Sequence, residues 1–170
     1  VTAKDFVYSF RRALSPELAS RNANLAYYIK YAEAYNSDKS FVKNPDGTFV
    51  HKAELEEKKP DAEQKIIPPH DTVGLDTEFH KFLDEPERLA VPGSEKERNK
   101  LLEKDAKLKA AIAGKELVPV KAEDLGVEAV DDYTVRLKLY QPAPFFLGLL
   151  AHQFFRVVHQ PSIEKFGKEW

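Results

Sequence analysis

The run Thr134-Val135-Arg136-Leu137-Lys138-Leu139 alternates apolar and polar residues without a break. Successive side chains of a strand point to opposite faces, so Val135, Leu137 and Leu139 share one face and Arg136 and Lys138 the other. A second run, Val127-Glu128-Ala129-Val130, precedes it and reaches it through Asp131-Asp132, a pair suited to a turn. Together they read as an antiparallel hairpin with one dry face and one wet face. A two-stranded hairpin is marginal by itself, so the dry face needs a cover from elsewhere in the chain.

Helices are the available cover. Thr2-Ala3-Lys4-Asp5 has the residue types of a capping box. Phe6, Val7, Phe10, Ala13 and Leu14 then recur at helical spacing, with Arg11 and Arg12 off that stripe. Ser15-Pro16 stops the pattern, which predicts a helix over 3–14. A second helical segment is expected over about 22–35, with Leu25, Ala26, Tyr28, Ile29 and Ala32 inward. Short apolar helices are expected over 145–152 and 161–166, the latter closed by Gly167. The fold class is α+β, with helices packed on a small antiparallel hairpin.

The composition changes after Asn36. Asn44-Pro45-Asp46-Gly47 is a turn signal flanked by Phe41-Val42 and Thr48-Phe49-Val50, so a small hairpin is expected there. Ile67-Pro68-Pro69-His70 reads as extended, 76–83 as a short helix capped by Asp76, and Val91-Pro92-Gly93 as a break. Ser94-Glu95-Lys96-Glu97 opens a charged helix running to about Ala113, with Gly114 as its C-terminal cap. Its apolar stripe is narrow, and its Lys and Glu read as a solvated face.

The chain has 170 residues, no Cys, no Met and a formal net charge of −2. Thiolate chemistry, disulfides and Cys-ligated zinc are excluded. Nothing pulls the chain toward nucleic acid, and no apolar run reaches the length of a membrane span. With Val1 already at a helix entry, both ends look cut from a longer protein. His70 and His80, with Asp71, Asp76 and Glu78 nearby, hold no recognised ligand spacing. His152 and His159 flank Phe154-Phe155 and read as satisfied structural histidines, with ligand contact as the alternative. Asp131-Asp132 reads as a turn and not as a catalytic carboxylate pair. No catalytic or phosphate-cradling motif occurs, so no cofactor, no metal and no catalysed reaction are expected.

Two segments resemble a known family. The opening from Val1 to Leu14, continued by Ser15-Pro16 and Ala19-Ser20, is similar to the opening helix of the family 5 extracellular solute-binding proteins. Leu125-Gly126-Val127-Glu128-Ala129-Val130-Asp131-Asp132 and the strand after it resemble that family's hairpin. The resemblance runs through Gln141-Pro142-Ala143-Pro144-Phe145-Phe146 to Ile163-Glu164-Lys165-Phe166-Gly167-Lys168-Glu169-Trp170. It implies a subdomain of a bilobed periplasmic-binding-protein fold that closes over a peptide or other small solute. It also implies delivery to a membrane-embedded ABC permease, outside the cytoplasmic membrane, with a lipid anchor upstream of Val1 compatible with that location. A sensor or interaction domain reusing the same fold is the alternative. The resemblance covers 1–35 and 124–170, and residues 36–123 read as an insertion. In the oligopeptide-binding branch an aromatic after the Ala-Ser pair reaches toward the ligand cleft. The matching position here is Asn22, the candidate ligand-binding residue, which also reads as a cap of the second helix.

Overall fold

The structure is a computed structural model that describes residues 1–55 and 86–167. Helix α1 spans Ala3–Ala13. The Asp5 carboxylate accepts the Thr2 backbone N–H at 2.6 Å, closing the half of the capping box that reaches back. Its inner face, Ala3, Val7, Phe10 and the following Leu14, is buried. Strands β4 (Val127–Ala129) and β5 (Val135–Leu137) form the predicted hairpin, with Glu128 opposite Arg136. On its wet face the Glu128 carboxylate meets Arg136 at 2.7 Å and Lys138 at 3.6 Å. On its dry face Val135, Leu137 and Leu139 pack on a core of Val7, Phe10, Leu14, Ile29, Val127, Phe146 and Phe155. Each fully buried Leu or Ile there contributes roughly 2 kcal/mol.

The second helical segment is broken. A 3-10 turn covers Ala23–Ala26, Tyr31 takes φ +63°, and helix α2 begins only at Ala32 and ends at Asn36. The buried residues Ala23, Ala26, Ile29 and Ala32 recur every three positions, the period of the tighter helix. Between them the backbone is drawn to the edge of β5. Lys30 donates its N–H to the Lys138 carbonyl at 2.7 Å, and Ile29 bridges Leu139. Gly126 closes this junction by donating to Lys30 and accepting from Lys138. A Cβ at Gly126 would lie 2.6 Å from the Lys138 carbonyl oxygen, so the close approach admits no side chain.

A second sheet has the order β2-β1-β3, all antiparallel. Strand β1 (Lys39–Lys43) is flanked by β2 (Ala90–Pro92) and β3 (Glu116–Pro119). The hairpin expected around Asn44-Pro45-Asp46-Gly47 forms, with Val50 donating to Val42 at 2.9 Å and Gly47 at φ +90°. The charged helix is two helices, α3 (Glu95–Lys104) and α4 (Ala106–Ile112). Asp105 leaves the helical region at φ −129° and its carboxylate accepts the Leu108 N–H at 2.9 Å, capping α4. Ser94 makes no side-chain cap, while Gly114 takes φ +69° after α4 as expected. Val42, Val50, Leu89, Val91 and Leu108 form a core of their own under this sheet. The Val120 N–H donates to the Lys39 carbonyl at 3.0 Å, so the chain enters and leaves the sheet side by side.

Helix α5 is short, Phe146–Leu149, and a 3-10 turn follows at Gln153–Phe155. Helix α6 runs Gln160–Phe166 and ends at Gly167 with φ +55°. Among the described residues no helix is long and apolar enough to cross a membrane. The fold is α+β, as the alternating strand and the helical periodicities require. The segments expected at 67–70 and 76–83 lie outside the described residues.

Candidate ligand-binding site

Asn22 stands at the entry of the Ala23–Ala26 turn, with its side chain exposed. Its carbonyl accepts the Leu25 N–H at 3.1 Å, but its side chain takes no capping hydrogen bond. The capping alternative therefore fails at the side chain, which leaves the amide pointing to no partner in the turn. The turn itself is held firmly. Ala23 and Ala26 are buried beneath it. The Tyr27 hydroxyl donates to Asn36 Oδ1 at 2.7 Å, and Asn36 Nδ2 donates to the Leu14 carbonyl at 3.0 Å. The turn is thus tied to the end of α1.

Beside it the Tyr28 ring stands edge-on to Phe145 at 5.2 Å and to Phe146 at 6.1 Å. Phe145 is 56% exposed and Leu147 is 79% exposed. A hollow of about 970 Å³ opens between Asn24, Tyr27, Tyr28, Tyr140 and Gln141 on one side and Leu89, Ala90 and Leu101 on the other. Charges at its rim are already matched, Lys39 with Glu33 at 2.8 Å and Lys52 with Glu87 at 3.4 Å. Polar tips on aromatic walls suit a ligand with both apolar and hydrogen-bonding parts. Asn22 is not among the residues that line this hollow.

Tyr31 is the keystone behind the hollow. Its left-handed backbone costs on the order of 1 kcal/mol. Its N–H donates to the Tyr140 hydroxyl at 2.7 Å, and its own hydroxyl accepts the Arg88 N–H at 2.9 Å. Its ring meets Phe41 edge-on at 4.9 Å. The Arg88 guanidinium lies 4.5 Å from the Phe49 centroid and reaches Asp124 at 3.4 Å. Desolvation at its hydroxyl end pushes the Tyr140 phenol well above its ordinary range, so it stays neutral at physiological pH.

The remaining sequence candidates separate clearly. His152 Nδ1 accepts the Phe154 N–H at 3.1 Å, and His159 Nδ1 lies 2.8 Å from Ser162 Oγ, so both have local structural partners. Asp131 Oδ1 accepts the Tyr133 N–H at 2.7 Å, and this bond holds its carboxyl below the usual range. Asp132 offers its carbonyl to the Ala3 N–H at 2.9 Å. The pair builds a turn. His70, His80, Asp71, Asp76 and Glu78 lie outside the described residues, among which no three metal-ligating side chains cluster. Tyr140, Gln141 and Tyr31 were missed from the sequence. The only signal was the tyrosine content of 27–31 and the Gln-Pro-Ala-Pro run after the hairpin.

The model for bacterial extracellular solute-binding proteins, family 5 Middle, matches residues 1–170. The periplasmic oligopeptide-binding protein OppA of Salmonella typhimurium is 35% identical over 99 residues, 57% of this chain and 18% of that protein. OppA of Escherichia coli is 47% identical over 47 residues, covering 28% of this chain and 9% of the relative. The periplasmic murein peptide-binding protein MppA of Escherichia coli is 39% identical over 67 residues, 36% of this chain and 12% of the relative. The chain matches less than a fifth of the length of each of these relatives. No solved structure matches it significantly. The family match takes in every segment from α1 to α6, and the chain belongs to the family 5 bacterial extracellular solute-binding proteins.

Proposed function

We propose that this chain is part of a receptor outside the cytoplasmic membrane that captures peptides for an ABC importer. The observation that carries the reading is the family match over the whole chain together with three relatives whose names specify peptide binding. The exposed aromatic and tyrosine surface beside the Ala23–Ala26 turn is suited to peptide side chains of varied shape. Asn22, exposed and without a capping bond, contributes a ligand-facing amide at the position where the oligopeptide-binding branch carries an aromatic. Residues 36–123 are an insertion carrying its own sheet, and 1–35 with 124–170 are the family subdomain. In support, one core draws only on residues from 7 to 35 and 125 to 155, and another only on residues from 42 to 117.

The test is thermal denaturation of the full-length receptor against mixed-sequence peptides, with sugars, amino acids and nickel as controls. Ligand that binds only the native state raises the melting temperature with the logarithm of its concentration over Kd. A rise with peptides alone supports the reading; a rise with another solute alone replaces the cargo. Asn22→Ala should weaken peptide binding about tenfold, one hydrogen bond's worth, with melting of the unliganded protein nearly unchanged.

A further inference from the structure

Helix α1 carries a second face that the cargo reading does not use. Lys4, Tyr8, Arg11 and Arg12 follow one another along it and, with Tyr35 and Gln160, line a groove of about 640 Å³. Arg11 also lines a smaller hollow of about 330 Å³ that begins at Glu128, Lys30 and Lys138. Glu123 and Asp124 also line the smaller hollow, with Asp124 paired to Arg88, and the two acids nearest the groove are engaged. Glu128 is held by Arg136 and Lys138, and Glu17 accepts from Ser15 Oγ at 2.5 Å. Lys4 makes only a long, exposed contact of 3.9 Å to Asp132. Among the described residues neither Arg11 nor Arg12 has an ion-pair partner, and Arg11 Nε is buried without a hydrogen-bond acceptor.

The helix does not account for this charge. Cations in the last turn, where Arg11 and Arg12 sit, are favoured by the helix dipole, but Lys4 in the first turn opposes it. We propose that this groove is a docking surface for an acidic segment of a partner protein, whose carboxylates take the two guanidinium forks. Planar guanidinium groups bind carboxylates bidentately, and Tyr with Arg is the composition that concentrates binding energy at protein interfaces. A membrane surface fits less well, because the groove is concave, holds one Lys, and belongs to a chain of net charge −2.

The experiment is fluorescence anisotropy of labelled hexaglutamate with the full-length receptor at low salt, with hexalysine and phosphatidylglycerol vesicles as comparisons. Hexaglutamate should bind, salt should weaken it, and the double variant Arg11→Glu/Arg12→Glu should lower its affinity at least tenfold. Arg12→Gln alone should lower it severalfold, which keeps the test available should the double variant not fold. The same variants should keep the melting-temperature rise given by mixed-sequence peptides, so failure here is separable from failure of the cargo reading. Three results would overturn the proposal: affinity for hexaglutamate unchanged in the variants, its displacement by a cargo peptide, or binding of vesicles in its place through the same arginines.

Discussion

The two halves of this molecule bury residues by different means. The core beneath α1 and the β4–β5 hairpin is built from large side chains that interlock across distant parts of the chain. Phe155 alone meets Phe10 at 5.5 Å, Phe146 at 6.1 Å and Phe154 at 5.0 Å, each edge-on. The sheet of residues 39–119 has a smaller, purely aliphatic core, and its covering helix α3 buries no residue fully. Between them lies a third cluster of Tyr31, Ala34, Phe41 and Val120. The difference teaches that interlocking aromatic rings set the geometry of the larger core, while the sheet region rests on aliphatic packing, its ladder and its seat against Tyr31.

Ile29→Ala gives the largest expected effect. Ile29 is fully buried in the larger core, and the truncation should cost about 2–5 kcal/mol. Chemical denaturation should show both regions losing structure together, because Tyr31 stands only two residues after Ile29. If hydrogen exchange shows the sheet amides of 39–43 still protected in this variant, the regions are independent and the comparison must be redrawn. Gly126→Ala comes next, at about 1–3 kcal/mol from overpacking, since the new methyl meets the Lys138 carbonyl. It should open the Lys30 and Lys138 amides to exchange before any in the sheet. Val91→Ala removes two methyls from the smaller core and should cost about 2 kcal/mol. Exchange should quicken at β1 and β2 while the β4–β5 amides keep their protection.

Much of the larger core was readable because local signals agreed with the tertiary outcome. Thr2 and Asp5 marked the start of α1, the alternation over 134–139 fixed the hairpin faces, and Gly167 marked the end of α6. The residues 23–32 misled for a physical reason. A spacing of three with good helix formers resembles a helix, and only the open edge of β5, more than a hundred residues away, ties Ile29 and Lys30 down and breaks it into turns. The break at Asp105 was legible in principle, since Asp before an Ala-Lys-Leu turn is a strong cap. Strands β2 and β3 were not, because three or four residues with Pro at one end carry too little pattern. Asn22 was reachable only through resemblance, and it lies outside the lining of the hollow. The Tyr31 junction depends on a left-handed tyrosine that nothing nearby announces.

The smallest effect concerns acid. Asp5 and Asp131 are held below the ordinary 3.8 chiefly by backbone N–H bonds from Thr2 and Tyr133, and Asp46 chiefly by the Thr48 hydroxyl. A depressed native value contributes stability that is fully present above the unfolded value and is lost as pH falls through the native one. Melting temperature should therefore decline as pH drops below about 4. Asp46→Asn should flatten that decline in the sheet region only, and Asp5→Asn in the larger core only, read by exchange at α1 and β1.

The hydrogen bond from Val120 to the Lys39 carbonyl has a consequence for the order of folding. The larger core needs contacts across almost the whole chain. Ser9, whose hydroxyl accepts the Val158 N–H at 2.9 Å, is separated from it by 149 positions. Closing so long a loop is entropically costly and slow. Once the sheet has formed, its entry and exit stand one hydrogen bond apart, and everything between them ceases to count as slack. The excursion then acts as a clasp that shortens the search for α1 by the chain that follows it, so the sheet should be formed by the time the hairpin finds its helix.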